Sequence, residues 1–318
     1  MGSLDLPDEP DEPMRAIQAD TGGTDRNSQR SRELPDPDER SRAYEAARTH
    51  VSAETSAEAS PGQRPDAGDQ PSYWDEVPRL QKLWADHEKN WPIARRASVD
   101  RSADPAGSYR SDGDLYLNPE RHAQTNEVIR QVRRVEPSIS ADIRTIEQEN
   151  TYGCWLEGFK NRLKGEDRLK EKVAEGQATI GPDASPEEIL AQVPDAIRYT
   201  FCVRTETYTR AYYDIKGRLE SLGYEMYQSK NRWDDEEYKG INTRWVTPEG
   251  QRFEIQLHTP ESFHAKQYIT HRAYERIRNH LTSDAERPEL EDFQREVSSW
   301  IQVPEGATEI PDFKKEGF

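Results

Sequence analysis

The chain has 318 residues, with 61 acidic and 44 basic side chains and a formal net charge of −17. That balance argues against broad electrostatic binding to nucleic acid, which needs a basic surface. No apolar run is long enough to span a membrane, and Cys154 and Cys202 alone cannot build a disulfide framework or a four-thiolate metal site.

The first 70 residues carry 16 acids and 8 bases and none of the seven tryptophans or seven phenylalanines. With PDEPDEP, LPDPDE and SPGQRPDAGDQP punctuation they cannot bury enough surface to offset their ordering entropy. Residues 1–72 are therefore expected to form a disordered acidic tail. MGSLDLPDEPDEP has no apolar h-region, and position 6 is not Ser or Thr, so neither a standard signal peptide nor a myristoylation pattern is visible.

The apolar spacing of Val77, Leu80, Leu83 and Trp84 predicts a helix closed by Pro92. A polar Ser/Asp/Gly loop follows. Asn118 then caps a helix with Pro119 in its first position, and Pro137 starts a second, at roughly 138–149. TYGCWLEGFKNRL alternates like a strand. Helices are expected at 166–175 and 185–193, and AIRYTFCVRT, opened by Asp195, is β-branched and aromatic. A helix from Tyr208 to Leu222 ends at Gly223. YEMYQSKNRW, INTRWVTP and RFEIQLHT read as a three-strand meander, with TPEGQ turning the last pair. Helices at roughly 261–281 and 287–301 complete the fold. The expectation is an α+β domain with a mixed sheet of about five strands flanked by helices. A helical flank would occupy 73–149, a core 150–302 and a C-terminal tail 303–318.

In RFEIQLHT, Phe253, Ile255 and Leu257 share one strand face while Glu254, Gln256 and His258 share the other. This is either a polar site or the solvated face of an edge strand. Asp195, at the mouth of the preceding strand, could share a cation with Glu254, or could be a plain turn residue. Arg162, Lys164, Arg168, Lys170 and Lys172 crowd a helix start, which suits polyphosphate; a solvated helix with Glu166–Lys170 pairing is the plain alternative. Tyr238 offers a ring to a base or is a plain turn tyrosine, Gly240 lets the backbone pass close to a ligand, and Lys230 and Asn231 are candidates for base-edge contacts. Lys266 and His271 lie on the long amphipathic segment after the meander; His264 shares a face with His271 and reads as structural.

Taken together, R-x-K beside a basic helix, DAIRYTFCV, YKGINT, FEIQLHTPES and THRAYE resemble the synthetase domain of the RelA/SpoT family, the alarmone synthetases, over roughly residues 150–280. The pattern is most similar to the branch holding actinobacterial ATP nucleotide 3'-pyrophosphokinases and interbacterial toxin domains. The resemblance implies a nucleotidyltransferase-like fold and magnesium-dependent transfer of the β,γ-pyrophosphate of ATP to the 3'-hydroxyl of a purine nucleotide, giving (p)ppGpp- or (p)ppApp-type products. It implies Asp195 and Glu254 as metal-binding carboxylates, with Glu254 aiding deprotonation of the acceptor. Arg162, Lys164 and Lys172 would hold ATP phosphates, and Arg168 and Arg198 join that set although the family has serine and glycine there. Tyr238 would stack on the acceptor base, with Lys230, Asn242, Gln256, His258 and His271 around it. These departures bear on acceptor choice more than on reaction type. The HD hydrolase domain of long family members has no counterpart.

Two other readings stay open: a silent nucleotide-binding module, and a toxin that pyrophosphorylates the 3' end of tRNA. An antitoxin or immunity protein is the expected protein partner, and tRNA the one nucleic acid retained. The chain would act in the cytoplasm or be exported as an effector without a classical signal.

Overall fold

The computed structural model describes residues 71–92, 99–279 and 281–317. Of the expected tail at 1–72, residues 1–70 lie outside the described residues, while Pro71 and Ser72 are described and Ser72 caps the first helix. The expected α+β architecture is what the chain adopts, with six strands in the mixed sheet rather than five.

Helix α1 (Tyr73–Asn90) begins with a Ser72–Asp75 capping box. In the loop beyond it, Tyr109–Arg110 (β1) and Tyr116–Leu117 (β2) pair as a small ribbon that the sequence reading missed. The Asp-Gly dipeptide at 112–113, between Tyr109 and Tyr116, was its available signal. Helix α2 runs unbroken from Pro119 to Glu149, so the expected break at Pro137 is absent. A mid-helix proline typically costs about 3 kcal/mol. Here Ile129, Val132, Ile139, Ile143 and Ile146 all bury along one stripe on either side of it, and that packing holds the helix together.

Strand β3 (Cys154–Glu157) is followed by α3 (Glu166–Ile180) and α4 (Pro186–Leu190). Pro194–Ala196 forms a single 3-10 turn leading into β4 (Arg198–Val203), so Asp195 sits before its strand rather than opening it. Helix α5 (Tyr208–Ser221) ends at Gly223, which has φ +84° as a helix stop requires. The meander is β5 (Glu225–Asn231), β6 (Ile241–Val246) and β7 (Arg252–His258). Then come α6 (Pro260–His264), a π-helical turn (Ala265–Thr270), α7 (His271–Arg278) and α8 (Arg287–Ser299). Phe313–Lys314 adds β8 beside β5.

The sheet order is β3-β4-β7-β6-β5-β8. Among the described strands only β4 and β7 pair in parallel, and β7, with β4 on one side and β6 on the other, is central. One sheet face is apolar, with Tyr199, Phe201, Phe253, Ile255, Leu257 and Trp245 buried. Helix α2 lies on this face, since Tyr199 bonds Ser140 and Tyr224 donates to Asp142. Cys154 and Cys202 are buried free thiols. Among the described residues no helix is long and apolar enough to cross a membrane.

Candidate active site

Strand alternation puts two polar rows across the other face of the sheet. In the first, Arg198 of β4 pairs with Glu254 of β7, then Arg244 of β6 and Gln228 of β5. The second runs Thr200, Gln256, Asn242 and Lys230. His258 follows beside Cys202. Glu254 and His258 are fully enclosed, and Gln256 is 2% exposed. The edge-strand reading fails because β7 has a partner on each side. Glu254 belongs to a buried polar layer and not to a solvated face.

Asp195 reaches this layer from the turn before β4. Its carboxylate accepts from Lys164, which the bridge between Leu163 and Ile197 brings alongside. Arg198 stands 3.9 Å from the same oxygen. Burial alone would raise the Asp195 pKa, but the Lys164 ammonium and the Arg198 guanidinium outweigh it, with Lys172 adding to them, and hold it below the usual carboxylate range. The next link to Glu254 is through the backbone: its amide donates to Ile197 O at 2.9 Å, one residue before Arg198. Two carboxylates and three cations thus converge at the start of the parallel pair.

The remaining basic residues divide. Lys172 is buried and pairs with Glu175 at 3.0 Å, close enough to act on Asp195. Arg168 is 42% exposed and pairs with Glu171 at 3.1 Å. Arg162 turns to α2, where it pairs with Glu136 at 2.5 Å and lies over the Phe159 ring. Its main-chain carbonyl still accepts from Arg198 N at 2.8 Å, so it borders the site.

Around His258 the arrangement is tight. The Tyr238 hydroxyl bonds both Asn242 Oδ1 at 2.9 Å and His258 Nε2 at 3.0 Å. His258 Nδ1 meets Ser262 Oγ at 3.0 Å. Ser262 is positioned by the Thr259 capping box that HTPES encodes. Burial, with Lys266 nearby, pushes the His258 pKa well below its ordinary value, so the imidazole is neutral. Gly240 has φ +153°, and a Cβ there would come within 2.8 Å of the His258 ring. The glycine makes room for this histidine and not, as the sequence reading had it, for a ligand. His271 is buried, with its Nε2 3.6 Å from Glu275.

Asn231 does not serve a base edge. Its side-chain amide donates to Ala307 O and Ile310 O, both at 2.7 Å, and so pins the C-terminal segment. His264 is structural, bonded to the Tyr73 hydroxyl at 2.9 Å and surrounded by Trp74 and Tyr268. Arg244 and Gln228 were missed. Arg244 donates to Gln228 at 2.7 Å and stands beside Glu254. Alternation was the available signal: Arg244 is one residue before Trp245 and so takes the face opposite that buried ring.

No protein-family model matches the chain, and no curated protein does. Among solved structures, the chain is similar to the type VI effector Tas1 in complex with its immunity protein, at 15% identity and TM-score 0.39, covering 56% of this chain and 96% of that one. It is also similar to small alarmone synthetase 1 from Bacillus subtilis, at 12% identity and TM-score 0.35, covering 54% and 87%. A GTP pyrophosphokinase family protein from Streptococcus pneumoniae matches at 13% identity and TM-score 0.31, covering 54% and 84%.

Proposed function

We propose that the chain is a nucleotide 3'-pyrophosphokinase, which moves the β,γ-pyrophosphate of ATP onto the 3'-hydroxyl of a purine nucleotide. The observation that carries this reading is the meeting of Asp195 and Glu254 with Lys164, Lys172 and Arg198 at the start of β4 and β7. Three cations about one carboxylate suit a polyphosphate, because charge-assisted contacts to phosphate are strong and directional. The RelA/SpoT motifs in the sequence fall on these same residues.

Transfer needs in-line geometry, charge neutralisation and a proton acceptor. The acceptor 3'-oxygen forms a bond to the β-phosphorus of ATP while the bond from that phosphorus to the α-bridging oxygen breaks. AMP leaves with the electron pair, and Glu254 takes the hydroxyl proton. A well-placed base contributes roughly 100- to 10,000-fold in rate. Lys164, Lys172 and Arg198 bind the phosphates and stabilise their charge. Tyr238, held by Asn242 and His258, presents its ring to the acceptor base.

Magnesium is usually held by one or two carboxylates, with waters and substrate phosphates completing its shell. Asp195 and Glu254 supply two, and no group of three or more His, Cys, Asp or Glu that could hold a metal occurs among the described residues. This donor set fits an ion that arrives with the nucleotide. When bound, magnesium would neutralise phosphate charge and polarise the phosphorus.

The test is incubation of the full chain with ATP, magnesium and separate purine nucleotides, with one arm holding tRNA, and identification of products by mass. AMP together with a nucleotide heavier by two phosphoryl groups supports the reading. ATP left intact in every arm overturns it, and transfer to tRNA alone replaces the acceptor.

A further inference from the structure

Lys266 lies in the π-helical turn Ala265–Thr270 that follows α6, and its ammonium donates to the side-chain oxygen of Gln256. The Gln256 amide nitrogen donates in turn to Glu254 Oε1. The three side chains form a line from a cation through an amide to a carboxylate. Gln256 is 2% exposed, so bulk water does not replace either bond.

We infer that Lys266 is a positioning residue: it fixes the orientation of the Gln256 amide and through it aims the Glu254 carboxylate. This rests on the transferase reading above.

The two ends of an amide are not equivalent. Its oxygen can only accept and its NH2 can only donate. With an ammonium at one end and a carboxylate at the other, one orientation satisfies both ends. The flipped one sets NH2 against NH3+ and oxygen against oxygen. The charges themselves therefore select the orientation. Without the ammonium, the amide would lose the anchor on its oxygen and could swing away from Glu254.

The local backbone fits this role. A π turn is rare and re-aims the side chains it carries. Thr270 Oγ1 bonds Ala265 O at 3.1 Å, five residues back, and spans the widened turn. The bond to Gln256 holds the half-buried Lys266 ammonium against the buried polar layer, close enough to His258 to oppose protonation of its imidazole. The carboxylate's other charged neighbours in register are Arg198 on β4 and Arg244 on β6. The bond that reaches the acceptor end of the Gln256 amide comes from Lys266.

The test is initial-rate kinetics on Lys266→Met, Lys266→Arg, Gln256→Met and the Lys266→Met, Gln256→Met pair, with ATP as donor and the best acceptor. Melting curves confirm that each variant is folded. Lys266→Met should lower kcat by about ten- to a hundred-fold, the usual cost of losing a group that orients a functional side chain, and leave the KM for ATP unchanged. Lys266→Arg should recover most of kcat. In the Gln256→Met background, Lys266→Met should cost nothing further, because its route to Glu254 is already gone. A Lys266→Met enzyme with wild-type kcat overturns the inference, as does an equal further loss in the Gln256→Met background. If Lys266→Met will not fold, Lys266→Gln is measured under the same criteria. A folded wild-type chain that transfers nothing overturns the transferase reading, and the positioning role with it; that result is distinct from an active wild type with an indifferent Lys266.

Discussion

Arg198 and Glu254 are register partners across the parallel pair β4–β7, and both are buried. A cation and a carboxylate thus stand side by side where Asp195 and Lys164 also arrive. Charge in such a layer tolerates little change, because removing one member leaves the others uncompensated and dehydrated.

Glu254→Gln keeps the shape of the side chain and removes its ability to take a proton. Turnover should fall by about 100- to 10,000-fold, with the acceptor KM changed far less than kcat. The melting temperature should also drop measurably, since Arg198 loses a buried counter-charge. Wild-type turnover in a folded variant removes Glu254 from the mechanism.

Tyr238 has a ring and a hydroxyl with separate tasks. Tyr238→Ala should raise the acceptor KM strongly, stacking being worth about 1–3 kcal/mol per base, and leave the ATP KM nearly constant. Tyr238→Phe keeps the ring and loses the bonds to Asn242 and His258, so its effect should be much smaller. A rise in donor KM instead would mean that the two pockets are exchanged.

Gly240→Ala meets the His258 ring and demands a strained φ at once. The expected cost is about 1–3 kcal/mol of stability, read as a lower urea midpoint. An unchanged midpoint would show that the loop at 232–240 shifts freely.

Burial pushes the His264 pKa down to about 4. An unfolded histidine titrates near 6.5, at about 6.5 on the usual scale. Because the folded value is depressed, the stabilising contribution is complete above the unfolded pKa. It is lost as pH falls from about 6.5 towards about 4, at about 1.4 kcal/mol per pH unit for one proton. His258 is shifted the same way, so the wild-type slope contains both. His264→Gln should remove one proton's share of that slope in urea titrations across the window. An unchanged slope would place the proton uptake elsewhere.

Much of the fold was legible because local signals agreed with tertiary ones. Asn118 accepts from Arg121 N at 2.8 Å, as its place before Pro119 suggests. The β5–β7 meander follows its period of two. Pro137 misled because α2's isoleucine stripe overrides a local penalty, and that stripe only matters once the sheet is beneath it. Glu254 looked solvated for a related reason: alternation reports two faces but not what covers them. Arg244 escaped because its neighbours in the site come from β5 and β7, a relation that strand register creates and linear spacing hides. Lys266 was visible as a residue but not as a contact, since its reach to Gln256 depends on the π turn.

The most direct test of the central account is phosphorus NMR of the product formed from ATP and the best purine acceptor. AMP and product should appear in equal amounts, with a diphosphate on the acceptor's 3'-oxygen and none on its 5' chain beyond what it brought. A single phosphate transferred, a diphosphate attached elsewhere, or inorganic pyrophosphate with an unmodified acceptor would contradict it.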